Sequence, residues 1–142
     1  MPHHPAFRLR SLPDGRAILS VAQAAGVPVL LVSDPGAASF AGAGWWRALT
    51  DDLRAEFPDL PFTTLLDCGD SAGAVMGALR EGVRALAFSG PPGTLEKLHA
   101  MAVQLGGQVI RPPEAATDLR GLRKGDASIR QAIIQSIDSK SL

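Results

Sequence analysis

Apolar residues gather into four short runs bounded by turn-forming residues: Val29 to Ser33, Phe62 to Asp67, Arg84 to Ser89 and Gln108 to Arg111. None alternates strictly between apolar and polar positions. Runs of this kind are what parallel strands show when their sheet is covered, so each is read as a buried strand. Between them the pattern changes to a helical period. Trp45, Leu49, Leu53 and Phe57 recur at i, i+4 spacing and predict the buried stripe of one helix. Asp14 precedes a helix expected over 16–25, and two more are expected over 71–81 and 94–105. Gly26, Gly82 and Gly106 punctuate helix ends, each followed directly by a strand.

This alternation has a repeated design. Gly26-Val27 leads through a strand to Asp34-Pro35-Gly36, and Gly82-Val83 leads through another to Gly90-Pro91-Pro92-Gly93. With right-handed crossovers, such units build an α/β fold: a single-domain, doubly wound, mostly parallel sheet of four or five strands with helices on both faces, flavodoxin-like or Rossmann-like. The same units also outline about half a (β/α)₈ barrel. The open sheet is favoured, because four strands cannot close a barrel. Residues 1–13 form an N-terminal arm, with Ala6 to Leu12 as a candidate fifth, edge strand. Residues 14–111 form the core domain. Residues 112–142 form a basic-tinged connection and a C-terminal amphipathic helix, capped by Asp126 and lined on one face by Ile129, Ile133 and Ile137. That face must be covered, either by the parent domain or by a second subunit, which makes a homo-oligomer through the last helix one expectation.

Composition narrows the function classes. The 142 residues suit one domain, and 46% apolar with 20% charged residues is a globular mix. Fourteen basic residues balance fourteen acidic ones, so the summed field attracts neither nucleic acid nor an anionic membrane. Aromatics are only 5%, without Tyr, and show no pattern for stacking bases. The single cysteine, Cys68, excludes an internal disulfide and a multi-cysteine metal site. With no signal peptide or spanning segment recognisable, a cytoplasmic location is expected.

The most suggestive chemistry lies in Gly69-Asp70-Ser71-Ala72-Gly73, which fits the G-x-S-x-G pattern of a serine nucleophile between a strand and a helix. The pentapeptide resembles the nucleophile elbow of hormone-sensitive-lipase-type esterases of the α/β-hydrolase family, over roughly a dozen residues. That resemblance implies a hydrolase with Ser71 attacking a carbonyl. It also implies a carboxylate and then a histidine later in the chain. His99 is the only later histidine, on a predicted helix, and Glu81 and Glu96 between them also fall on helices. No HGGG-like oxyanion loop is present. The alternative for the same letters is a helix cap by Ser71 or Asp70, with Gly73 and Gly77 letting the helix approach a neighbour closely.

In open α/β sheets ligands bind beyond the carboxyl ends of the strands. The loops there supply the candidate ligand-binding residues Ser33, Asp34, Gly36, Asp67, Gly69, Asp70, Ser71, Ser89, Gly90, Gly93, Thr94 and Arg111. Hydroxyls, glycines and helix N–H groups suit a phosphate or carboxylate, to which Arg111 adds charge. Neither G-x-G-x-x-G nor a P-loop is present, and no cofactor is expected. Asp67 and Asp70 are a candidate acid and base for a lyase, or carboxylates for Mg²⁺; the simpler readings are that Asp67 ends a strand in solvent or pairs with Arg111, and that Asp70 sits at a helix start. Cys68 is reactive if the helix start lowers its pKa, and inert if buried. His3-His4 alone make a poor metal site, and no metal is expected. The preferred function is therefore non-catalytic: a small-molecule (anion or phosphate) binding or oligomerising, regulatory protein. A small hydrolase or lyase using Ser71 or Asp67 and Asp70 is the alternative.

Overall fold

A computed structural model describes residues 4–120 and 130–136. The chain is a single-domain α/β protein with a five-stranded, all-parallel sheet: β1 (Ala6–Arg8), β2 (Val29–Val32), β3 (Phe62–Asp67), β4 (Ala85–Ala87) and β5 (Gln108–Ile110). The four apolar runs are all strands, and the Ala6 segment supplies the fifth. Strand order follows chain order, β1-β2-β3-β4-β5. An order without reversal belongs to one half of a doubly wound sheet and equally to consecutive strands of a (β/α)₈ barrel.

The helices are α1 (Leu12–Ala25), α2 (Ala37–Phe40), α3 (Ala43–Glu56), α4 (Ala72–Arg80) and α5 (Pro92–Gln104), with residues 130–136 in a sixth. Neighbours in chain order pack together: α1 on α3, α3 on α4, and α4 on α5. Their buried residues, among them Ile18, Leu53, Val75, Leu79 and Leu98, join Phe7, Leu31, Leu66, Leu86 and Val109 from the strands, and Phe88 just after β4, in one large core. The other face of the sheet carries a small cluster of Val32, Leu65 and Ala87, against which Leu30, Ala85 and Ala116 pack. Among the described residues no helical side chain joins this cluster, and Ala116 of the segment after β5 does.

That segment crosses back to the start of the chain. Thr117 lies parallel beside Phe7 on the β1 side away from β2, its N–H donating to the Ala6 carbonyl at 2.8 Å while Arg8 N–H donates to Thr117 O at 2.9 Å. Ile133 of the sixth helix is fully buried in the large core, and Thr117 Oγ1 is 2.9 Å from Ser136 Oγ. The last helix thus docks on its own domain at Ile133. Asp126, Ile129 and Ile137, which carry the rest of the expected apolar face, lie outside the described residues.

Several local expectations change. Helix α1 starts at Leu12 rather than Arg16, because Ser11 is the cap: its Oγ accepts from Asp14 N–H, and Pro13 occupies a first-turn position where its missing N–H is harmless. The buried stripe of α3 is Trp46, Leu49, Thr50 and Leu53, not one that begins at Trp45. A helix facing a core alternates steps of three and four residues, and a strict four-residue series drifts off that face. Trp45 is only partly buried, its ring tilted 48° from that of Trp46 with centroids 5.8 Å apart.

Gly73 and Gly77 also serve differently from expectation. A Cβ built on Gly73 meets nothing nearer than Ser71 Oγ at 3.9 Å, and one on Gly77 nothing nearer than Arg80 Nη2 at 3.9 Å. Neither glycine mediates a close helix approach. Gly73→Ala and Gly77→Ala are accordingly expected to stabilise the protein by about 0.5–1 kcal/mol each through helix propensity, read as a higher urea midpoint with unchanged slope.

Candidate functional site

The carboxyl ends of the strands are organised by Asp67, the last residue of β3. It is neither an exposed strand end nor a partner of Arg111; it is only 3% exposed. Its Oδ1 accepts two backbone N–H bonds, from Gly36 at 2.9 Å and Gly69 at 2.7 Å. Both glycines hold left-handed backbones, φ 72° and 58°, which turn their N–H groups inward and would strain any residue with a Cβ. One carboxylate oxygen therefore ties the loop after β2 to the loop after β3. Ser33, also buried, accepts the Asp67 N–H on its Oγ at 2.9 Å and completes the clamp.

The second oxygen is different. No hydrogen bond reaches Asp67 Oδ2 among the described residues, and every fully enclosed side-chain nitrogen or oxygen there has a partner. Oδ2 is an acceptor on a carboxylate fixed through its other oxygen, without a bonded donor among the described residues.

The row of loops continues from this point. Ser89 N–H donates to Gly69 O at 2.8 Å, and Arg111 Nη1 donates to the carbonyls of Phe88 at 3.1 Å and Gly90 at 2.6 Å. Gly36, Asp67, Gly69, Ser89, Gly90 and Arg111 are so linked across four strands. Arg111 is exposed and its partners among the described residues are neutral carbonyls, so no described carboxylate matches its charge. Asp70 is exposed on the same loop as Asp67. Gly93 and Thr94 fall in the first turn of α5.

Ser71 is the N-cap of α4: its backbone is extended, and its Oγ accepts from Ala74 N–H at 3.0 Å. His99 is engaged elsewhere, its Nδ1 accepting the Val109 N–H of β5 at 3.1 Å. It sits seven residues into α5, roughly 10 Å along the axis from the rim. The serine hydroxyl faces a helix turn and the imidazole faces a strand.

Cys68 is buried, its Sγ 3.8 Å from the Leu66 carbonyl, and burial pushes its thiol up to about 12, with the neighbouring Asp67 charge adding to the effect. The helix start does not activate it. Native protein at pH 8 is expected to leave Cys68 unmodified by iodoacetamide over an hour, whereas urea-unfolded chain is labelled within minutes, as mass spectrometry would show.

Two features of the rim had no signal in the local sequence. Arg10 binds Asp118 through two bonds of 2.7 Å and Asp34 through bonds of 2.8 Å, so the arm, the loop after β2 and the segment after β5 meet in one ion network. Asp34 is thereby an ion-pair partner, and Arg10 holds the Asp118 carboxyl well below the usual carboxylate range. Arg8 adds a bond to Ser33 O at 2.7 Å. Among the described residues no three His, Cys, Asp or Glu side chains converge as metal ligands, and no helix is long and apolar enough to cross a membrane.

A cavity of about 820 Å³ lies mainly toward the amino ends of the strands, lined there by Thr63, Gly82 and Arg84, and includes none of the rim residues named above. A cavity's size alone does not make it the site of chemistry. The rim remains the place where backbone donors, a fixed carboxylate and an unmatched cation meet.

No family model matches the chain. Part of it is similar to curated aldolases: 86 residues are 29% identical to fructose-bisphosphate aldolase 2 of Cereibacter sphaeroides, covering 61% of this chain and 24% of that protein. The fructose-bisphosphate aldolase of Xanthobacter flavus is 30% identical over the same length, and that of Rhizobium meliloti (strain 1021) 28%, each again covered to 24%. The chain spans about a quarter of the length of the curated relatives it matches, and over those 86 residues it is similar to a part of an aldolase.

Proposed function

We propose that the strand-end rim binds a small phosphorylated, polyhydroxylated molecule and holds it without chemistry of its own. The observation that carries this reading is Asp67, fixed through Oδ1 by two backbone donors and without a bonded donor at Oδ2 among the described residues. A ligand hydroxyl donates to that oxygen. The exposed Arg111, with only carbonyl partners, offers charge to a phosphate on the neighbouring loops. The similar proteins are named for a bisphosphorylated sugar, the same class of molecule.

A second reading is favoured by the same similarity, since aldolases are lyases: Asp67 would then move a proton as a carbon–carbon bond breaks. A hydrolase using Ser71 has less support, its hydroxyl being engaged as a cap.

Thermal unfolding with fructose 1,6-bisphosphate separates the readings. Binding at 100 times the dissociation constant adds about 2.7 kcal/mol, a rise of roughly 5–10 °C, expected to be lost in Arg111→Gln. A coupled assay for cleavage of the same compound is expected to show no turnover. Turnover abolished by Asp67→Asn would replace the binding reading with the lyase one, and no thermal shift and no turnover would reject both.

A further inference from the structure

The cavity away from the rim has a structural cause. Strand β3 pairs with β2 from Phe62 onward, but its pairing with β4 begins only at Leu66 opposite Leu86. Residues 62–65 therefore have no strand beside them on the β4 side. The sheet is split at its amino ends, and the cleft is walled by α3 on one side and by the Gly82 to Ala85 segment on the other. Its apolar lining includes Leu30, Leu65, Ala85 and Ile110, the last 37% exposed.

The charged lining is biased. Three arginines, Arg47, Arg54 and Arg84, stand against one carboxylate, Asp51, in a chain whose charges balance overall. Arg47 reaches the Glu81 carbonyl at 2.7 Å, with Asp51 at 3.9 Å. Arg54 lies over the Phe62 ring at 5.3 Å and donates to Thr64 Oγ1 at 3.1 Å. Arg84 donates to the carbonyls of Leu79 and Val83 at 2.9 and 3.4 Å. Among the described residues neither Arg54 nor Arg84 has a carboxylate partner, unlike Arg10 and Arg16, which are paired with Asp118 and Glu56. Neutral acceptors orient these guanidinium groups at the cleft and leave their charge uncompensated.

We propose that this cleft is a second binding site, separate from the rim, for a small amphipathic organic anion: an apolar body against Leu30, Ala85 and Ile110, and a carboxylate, sulfonate or phosphate between Arg54 and Arg84. The volume suits an organic molecule of ordinary ligand size, and the combination of apolar lining with two or three placed charges is the usual make-up of such a site. The split ladder provides the space, and the unmatched arginines set the sign of the ligand.

The test uses 1-anilinonaphthalene-8-sulfonate as the anionic probe and N-phenyl-1-naphthylamine as an uncharged one of similar shape, with the full chain, read by fluorescence titration. The sulfonate is expected to saturate at one per chain. The double substitution Arg54→Gln with Arg84→Gln is expected to weaken it at least about tenfold, as the loss of charge-assisted bonds requires, while Arg54→Lys with Arg84→Lys stays within about threefold. Arg111→Gln at the rim is expected to change nothing. All these positions are exposed, so each variant is expected to fold, which circular dichroism checks. Equal affinity of the Gln double variant and the wild type overturns the proposal. So does equal weakening of the uncharged probe, or loss of sulfonate binding in Arg111→Gln.

Discussion

Replacing Trp46 with alanine is expected to cost about 4 kcal/mol of stability, whereas Trp45→Ala costs about 1 kcal/mol or less. The two residues are neighbours in sequence and of one chemical type, so the difference isolates burial. Trp46 is 1% exposed and is the largest fully buried side chain; it packs in the core with Leu49, Leu53 and the sheet residues beneath. Its removal leaves a void that the surrounding side chains fill only in part, and a cavity adds to the transfer loss. Trp45 is half-covered and keeps part of its surface in water already. Urea denaturation followed by far-ultraviolet circular dichroism measures both: the Trp46 variant is expected to lose much of its midpoint, and the Trp45 variant little. Equal losses would mean that the stripe of α3 has been placed on the wrong side of the helix.

The second large effect is expected at Asp67. Truncation to alanine leaves the Gly36 and Gly69 N–H groups without an acceptor in a partly buried turn, at a cost of about 2–4 kcal/mol. Asp67→Asn keeps an oxygen at the Oδ1 position and the shape of the side chain, so it costs about 1 kcal/mol. The pair of variants separates the clamp from the charge: both lose the carboxylate, but only alanine loses the acceptor. Chemical denaturation is expected to rank them wild type, Asn, Ala. The Asn variant, still folded, is then the proper probe of the rim's binding.

What could be read from the sequence follows the range of the interactions concerned. The strands were legible because a continuous apolar run is a local property, and β3 covers the full run from Phe62 to Asp67. Helix ends were legible where a glycine punctuates them: Gly26, Gly82 and Gly106 all hold positive φ. Helix α2 was missed because four residues, Ala37–Phe40, are too few to show a period. The start of α1 was missed because Ser11 caps from a segment that reads equally well as the continuation of β1.

At the rim the loops were legible and the roles of their residues were not. Ser33, Gly36, Asp67, Gly69, Ser89, Gly90 and Arg111 are linked across the strand ends as their positions after strands implied. That Asp67 would face Gly36 depends on a register between β2 and β3 that no window of sequence contains. Arg10 and Asp118 are 108 residues apart, and only the return of the chain beside β1 brings them together. The split between β3 and β4 is equally invisible, since it is a missing partner rather than a feature of either strand.

Whether the rim around Asp67 is a ligand site is decided by amide chemical shifts of uniformly ¹⁵N-labelled protein titrated with fructose 1,6-bisphosphate. Saturable shifts of the Gly36, Gly69, Ser71 and Gly90 amides, absent in Asp67→Asn, are the predicted result. Amides at these positions that do not move, or shifts confined to the cleft around Arg54 and Arg84, would contradict it.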